Sequence, residues 1–153
     1  RQTIVRIICD HMGWKQLETI DTKHNYIDME RRMLRKGAVS ALYGERLVIP
    51  MNMRDGTLLC EGLGNSLWNF SAPHGAGRIM SRAKARETIP METYAESMNG
   101  IYTSSVCEGT KDEAPMAYKP MEAVTSAIQQ MAGGTVKIIS ILKPVYNFKA
   151  SEV

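Results

Sequence analysis

Histidine is scarce in this chain, with three residues (His11, His24 and His74) among 153. A metal centre needs several converging His, Cys or carboxylate ligands, so histidines alone build none here. Cysteine is equally sparse. Cys9, Cys60 and Cys107 lie far apart without Cys-x-x-Cys spacing, which excludes a zinc ribbon or disulfide framework. Free thiols suit a reducing compartment, and the expected location is cytoplasmic. No apolar run approaches the roughly 20 residues of a membrane span and no signal peptide is visible, so no membrane partner is expected. Repeats and internal linkers are also missing. The net charge of +3 is small, compatible with a polyanionic partner without defining one.

What is present is ordinary for a soluble domain: 44% hydrophobic and 23% charged residues, over a length that buries a core. Residues 1–153 read as a single domain. The chain opens on Arg1 inside a helical pattern, so it is expected to be a piece of a longer protein. The eleven methionines read as core filler.

Ile4, Val5, Ile7, Ile8 and Met12 recur at helical spacing, and Gly13 is placed to stop that helix. Residues 15–22 alternate partly and predict a strand. Strand character returns at 35–40, at Arg46-Leu47-Val48-Ile49 with Pro50 as its stop, and at 57–60. Residues 51–56 read as a loop. Helices are expected from about 76 to 86, from Pro90 to Met98, and from Met121 to Met131 before Gly133-Gly134. Ile101-Tyr102-Thr103 reads as a strand. The β-branched segment after Thr135 reads as terminal strands about a turn at Lys143-Pro144. The expected class is α+β, a mixed α and β domain with a sheet core and flanking helices.

One loop organises the rest: Ser71-Ala72-Pro73-His74-Gly75-Ala76-Gly77-Arg78. Glycines beside a histidine let backbone N–H groups approach an anion closely, which makes a phosphate site with a potential nucleophile. Arg78, Arg82 and Arg86 are spaced four apart and would form one ridge on a helix, either a contact for a nucleic-acid backbone or a solvated face. His24-Asn25 reads either as an ordinary turn or as a metal ligand beside a phosphate donor. His11 reads as a helix-end surface histidine. Asp112 and Glu113 read as the solvated charges of a loop.

The blocks His24-Asn25, Arg35-Lys36-Gly37-Ala38, Pro73-His74-Gly75-Ala76-Gly77-Arg78 with Met80-Ser81-Arg82, Asp112-Glu113-Ala114-Pro115 with Tyr118-Lys119, and Lys149 occur in one order. In that order the chain resembles the C-terminal part of RtcB-type RNA-splicing ligases, over nearly its whole length. The resemblance implies a GTP- and manganese-dependent enzyme of tRNA splicing or RNA repair. It would join an RNA 3′-phosphate or 2′,3′-cyclic phosphate end to a 5′-hydroxyl end through a GMP-histidine intermediate. It implies His74 as the nucleophile, with Arg78 also catalytic, and His24 as a manganese ligand. A GTP pocket is implied from His24, Asn25, Pro50, Met51, Asn52, Met53, Thr57, His74, Gly75, Ala76, Gly77, Tyr118 and Lys149. Tyr118 would pack on the guanine and Lys149 would bond its edge. RNA would be held by Arg78, Arg82 and Arg86.

Two departures accompany the likeness. Many family members carry Pro-Gly-Ser-Met-Gly where this chain has Pro50-Met51-Asn52-Met53-Arg54. The family's remaining metal ligands belong upstream of Arg1, so the N-terminal remainder of the protein is an expected partner and the chain alone is expected to be inactive. The alternative reading is a non-ligating RNA- or nucleotide-binding module that keeps the pocket.

Overall fold

The computed structural model describes residues 1–149. Its first element, α1 (Gln2–Met12), ends at Gly13, whose left-handed φ of 65° is easiest for a residue without a side chain. The apolar stripe of α1 faces outward: Ile4, Ile7 and Ile8 are all exposed.

Residues 15–22 form no strand. They run beside an edge strand, where the Thr22 hydroxyl, rather than a backbone carbonyl, takes the Val48 N–H at 3.3 Å. A hairpin of β1 (Asn25–Asp28) and β2 (Met33–Lys36) follows, then β3 (Ala38–Ser40). Next come β4 (Arg46–Asn52) and β5 (Gly56–Gly62), which pair antiparallel. Pro50 does not stop β4. The strand lies at the sheet edge, where a missing N–H costs little, and pairing shifts register just after it.

The short β6 (Ser71–Pro73) pairs with β3, Ala38 opposite Pro73. The expected helix from 76 to 86 begins only at Arg82, as α2 (Arg82–Thr88), capped by the Ser81 hydroxyl accepting from Lys84 N–H. Residues before it bond elsewhere: Ala76 N–H to the Pro50 carbonyl and Ile79 N–H to the Ala117 carbonyl, both 3.0 Å, with Gly77 at φ 72°. Then come α3 (Met91–Ser97), a 3₁₀ segment Glu108–Glu113, α4 (Met121–Gln130) and β7 (Val136–Leu142), which completes the sheet order β4-β5-β7. Ile101–Thr103 and residues 143–149 form no ladder; one bridge, Thr103 with Asn147, joins them.

Two apolar cores result. One packs Leu47, Ile49, Leu58, Cys60 and Val136 of the sheet against Val39, Ala72, and Val124 and Ile128 of α4. The other joins Met53 to Ala85 and Ile89 at α2, Tyr94 and Met98 at α3, and Ala114 and Ala117. Tyr118 packs against both. Three methionines (Met51, Met53, Met98) are buried in these cores, whereas Met12, Met29 and Met131 are exposed, so core filling accounts for only part of the set. Helices and antiparallel sheets in separate layers make this an α+β fold, as the sequence pattern implies. Among the described residues no helix is long and apolar enough to cross a membrane.

Candidate active-site groove

The β3–β6 register decides where His74 stands. Pairing Ala38 with Pro73 brings the next residue beside Gly37, and His74 Nδ1 lies 2.7 Å from the Gly37 carbonyl oxygen. A carbonyl only accepts, so the neutral ring carries its proton on Nδ1 and keeps a lone pair on Nε2. Gly37 is held in turn, its N–H donating to Asn25 Oδ1 at 2.9 Å. At φ 66° Gly37 adopts a backbone that a side chain disfavours, and an added Cβ would sit 3.6 Å from His74 Nδ1.

Arg35 bolts the hairpin to this loop. Its guanidinium is buried, donating to Asp28 Oδ2 at 2.8 Å, Tyr26 Oη at 3.1 Å and, through Nε, Ser71 Oγ at 3.1 Å. The Arg31 N–H and the Arg35 guanidinium hold the Asp28 carboxyl below its ordinary value. His24 meets His74 edge to face, with ring centroids 5.0 Å apart at 65°. His11 is exposed at the end of α1.

A groove of about 1310 Å³ opens from these two rings along the seam between the cores. All residues expected at a GTP pocket line it except Asn25, whose carboxamide oxygen supports Gly37. Arg78, Arg82 and Arg86 line it too. They do not form a helical ridge, because Arg78 precedes α2. Asn52 is occupied locally: Oδ1 accepts from Arg54 and Asp55 N–H groups, and Nδ2 donates to Asp55 Oδ2 at 2.8 Å. Arg54 turns back onto Asp55 at 2.8 Å. The departure from the family loop is thus a self-contained turn.

Asp112 and Glu113 are not solvated charges. Asp112 is buried and paired with all three arginines, while Glu113 receives the Tyr118 hydroxyl at 2.9 Å and Lys149 Nζ at 3.2 Å. Burial pushes the Glu113 carboxyl up, but the Tyr118 hydrogen bond and the Lys149 and Arg78 charges outweigh it, leaving a net fall. Burial and the Glu113 contact push the Tyr118 phenol up to about 12. Arg78 stacks over the Tyr118 ring at 4.8 Å, and its Nη1 is buried without a hydrogen-bond partner among the described residues. Sequence reading missed these carboxylates because their burial depends on arginines 26 to 35 positions away.

For a metal the donor set is short. Among the described residues no three His, Cys, Asp or Glu side chains converge, so His24 and His74 do not make a metal centre by themselves.

The profile of the family described as "tRNA-splicing ligase RtcB" matches residues 1–150. The chain belongs to the RtcB family. The RNA-splicing ligase RtcB of Escherichia coli (strain K12) is 36% identical over 139 residues, covering 87% of this chain and 33% of the relative. The tRNA-splicing ligase RtcB of Aeropyrum pernix is 32% identical over 107 residues, 67% of this chain and 22% of the relative. The RNA-splicing ligase RtcB of Mycobacterium tuberculosis is 26% identical, covering 92% and 38%. The chain therefore spans about a third of the length of the RtcB relatives it matches.

Proposed function

We propose that the protein carrying this chain is a GTP- and manganese-dependent RNA ligase. Its substrates are an RNA 3′-phosphate or 2′,3′-cyclic phosphate end and a 5′-hydroxyl end. The observation that carries this reading is His74, with Nδ1 tied to the Gly37 carbonyl and the Nε2 lone pair left for chemistry beside a cation-lined groove. In this scheme Nε2 attacks the α-phosphorus of GTP, the bond to the β-phosphate oxygen breaks, and pyrophosphate leaves. The RNA 3′-phosphate then takes the GMP from His74, and the 5′-hydroxyl displaces GMP as the new phosphodiester forms. The backbone N–H groups of Gly75 and Gly77 and the Arg78 guanidinium would stabilise charge on the phosphates, the Ala76 N–H being engaged by the Pro50 carbonyl. Tyr118 and Lys149 would bound the guanine, exchanging their present contacts with Arg78 and Glu113 for it.

Manganese belongs to this reading as an ion bound by His24 with ligands that the described residues do not contain; it would neutralise triphosphate charge. The N-terminal remainder of the protein is the proposed source of those ligands, and the outward apolar stripe of α1 supports such a partner. The short donor set also favours a second reading, a non-ligating RNA- or nucleotide-binding module.

Incubation of the full-length protein with GTP labelled in the α-phosphate, plus manganese, separates the two. A ligase acquires an acid-labile label that His74→Ala abolishes. Label that survives His74→Ala refutes the nucleophile, and RNA binding with no label supports the module.

A further inference from the structure

Arg78 precedes α2 while Arg82 and Arg86 lie on it, and all three meet at one carboxylate. Asp112 is 3% exposed. Its Oδ1 accepts from Arg86 Nε at 3.2 Å, and its Oδ2 lies 3.7 Å from Arg82 Nε and 3.8 Å from Arg78 Nη2. Its main-chain carbonyl accepts a further hydrogen bond from Arg78 Nη2 at 2.5 Å. Arg82 and Arg86 keep their outer faces free, with side chains 70% and 48% exposed, whereas the Arg78 side chain is 22% exposed.

The carboxylate holds Arg86 by a hydrogen bond and Arg82 and Arg78 by ion pairing, and because a guanidinium has five N–H donors, Arg82 and Arg86 keep donors for another acceptor. Unsupported arginines on α2 and its lead-in would lose rotamer freedom on meeting a phosphate. Held at a common buried carboxylate, they lose less. Charge is not cancelled by this arrangement, since among the described residues Arg78, Arg82, Arg86 and Lys149 pair with Asp112 and Glu113, leaving the cations two in excess.

We propose that Asp112 is a positioning residue that presets Arg78, Arg82 and Arg86 as one anion-binding row for the phosphates of the RNA 3′ end. This rests on the ligase reading above, from which the RNA comes. The inference has a sign that plain electrostatics lacks. Removing a carboxylate from a cationic groove raises its positive charge, so Coulomb attraction alone predicts tighter RNA binding. Positioning predicts weaker binding.

The test measures affinity of the full-length protein for a 3′-phosphorylated single-stranded RNA across a salt series. Asp112→Asn is expected to weaken binding about tenfold and flatten the salt dependence, because fewer phosphates are neutralised together. Asp112→Glu keeps the charge and moves it by one methylene; it is expected to weaken binding to a lesser degree, and it decides the matter if Asp112→Asn fails to fold. Unchanged or tighter binding by the folded variants overturns the role of Asp112 and leaves the ligase reading standing. Absence of RNA binding by the unsubstituted protein overturns both.

Discussion

A backbone carbonyl places the proton on His74. With Gly37 as the acceptor at 2.7 Å, neutral His74 is the Nδ1–H tautomer, and a nitrogen-15 correlation spectrum should show Nε2 unprotonated. Gly37→Ala puts a side chain on a backbone at φ 66° and against the ring. The mixed-tautomer pattern should then appear, with transfer of GMP to His74 slowed about tenfold or more; an unchanged spectrum would remove Gly37 from the account. The loop itself is legible in the sequence, because a histidine flanked by Pro73 and Gly75 is a local signal. The carbonyl that orients the ring comes from 37 positions upstream and is fixed only by the register of β3 on β6. Asn25 illustrates the same limit from the other side. Its position suggested a phosphate contact, yet its oxygen is engaged in holding Gly37.

Elements with local stop signals are where sequence pattern and structure agree. Helix α1 ends at Gly13, α3 begins after Pro90, and α4 gives way to Gly133-Gly134. Pattern fails where backbone groups find partners far along the chain. The pattern predicts a helix beginning within residues 76–81, but the Pro50 and Ala117 carbonyls take the N–H groups of Ala76 and Ile79 instead. Residues 15–22 alternate like a strand, but the edge of β4 receives a side-chain hydroxyl from them. Gly62 marks another close tertiary approach, and nothing in the pattern announces it. A Cβ there would clash with the Leu42 carbonyl oxygen and the Ala41 carbonyl group. Gly62→Ala should therefore cost about 3 kcal/mol, the upper end for overpacking, because both obstacles are backbone. Chemical denaturation checks this; a loss within about 0.5 kcal/mol, as at an indifferent surface site, would mean that the β3–β4 connection yields freely.

Across the whole molecule, Tyr118 and Glu113 join the two cores at the seam that forms the groove. Their ionisation should limit stability at both ends of the pH scale. Glu113 titrates below its ordinary 4.5 when folded, so its contribution is present above about 4.5 and disappears as pH falls through the lower folded value. Tyr118 titrates at about 12 when folded against 10 when unfolded. Between those values the folded chain keeps a proton that the unfolded chain has lost, so stability contributed below pH 10 is lost as pH rises toward 12. Thermal melts against pH should show the alkaline decline flattened in Tyr118→Phe, with the neutral-pH midpoint also lowered by the lost hydroxyl contact. An identical alkaline decline in both proteins would place its cause elsewhere.

The groove is completed only when both cores are assembled, which is why its chemistry gathers residues from His24 to Lys149. The proposed function requires that His74 Nε2 carry GMP. Peptide mapping by mass spectrometry, after the full-length protein meets GTP and manganese, tests this directly. The account predicts a mass increase of one GMP confined to the peptide containing His74, released by acid and discharged when 3′-phosphorylated RNA is added. GMP on another residue, or RNA joining with no GMP on the protein, would contradict it.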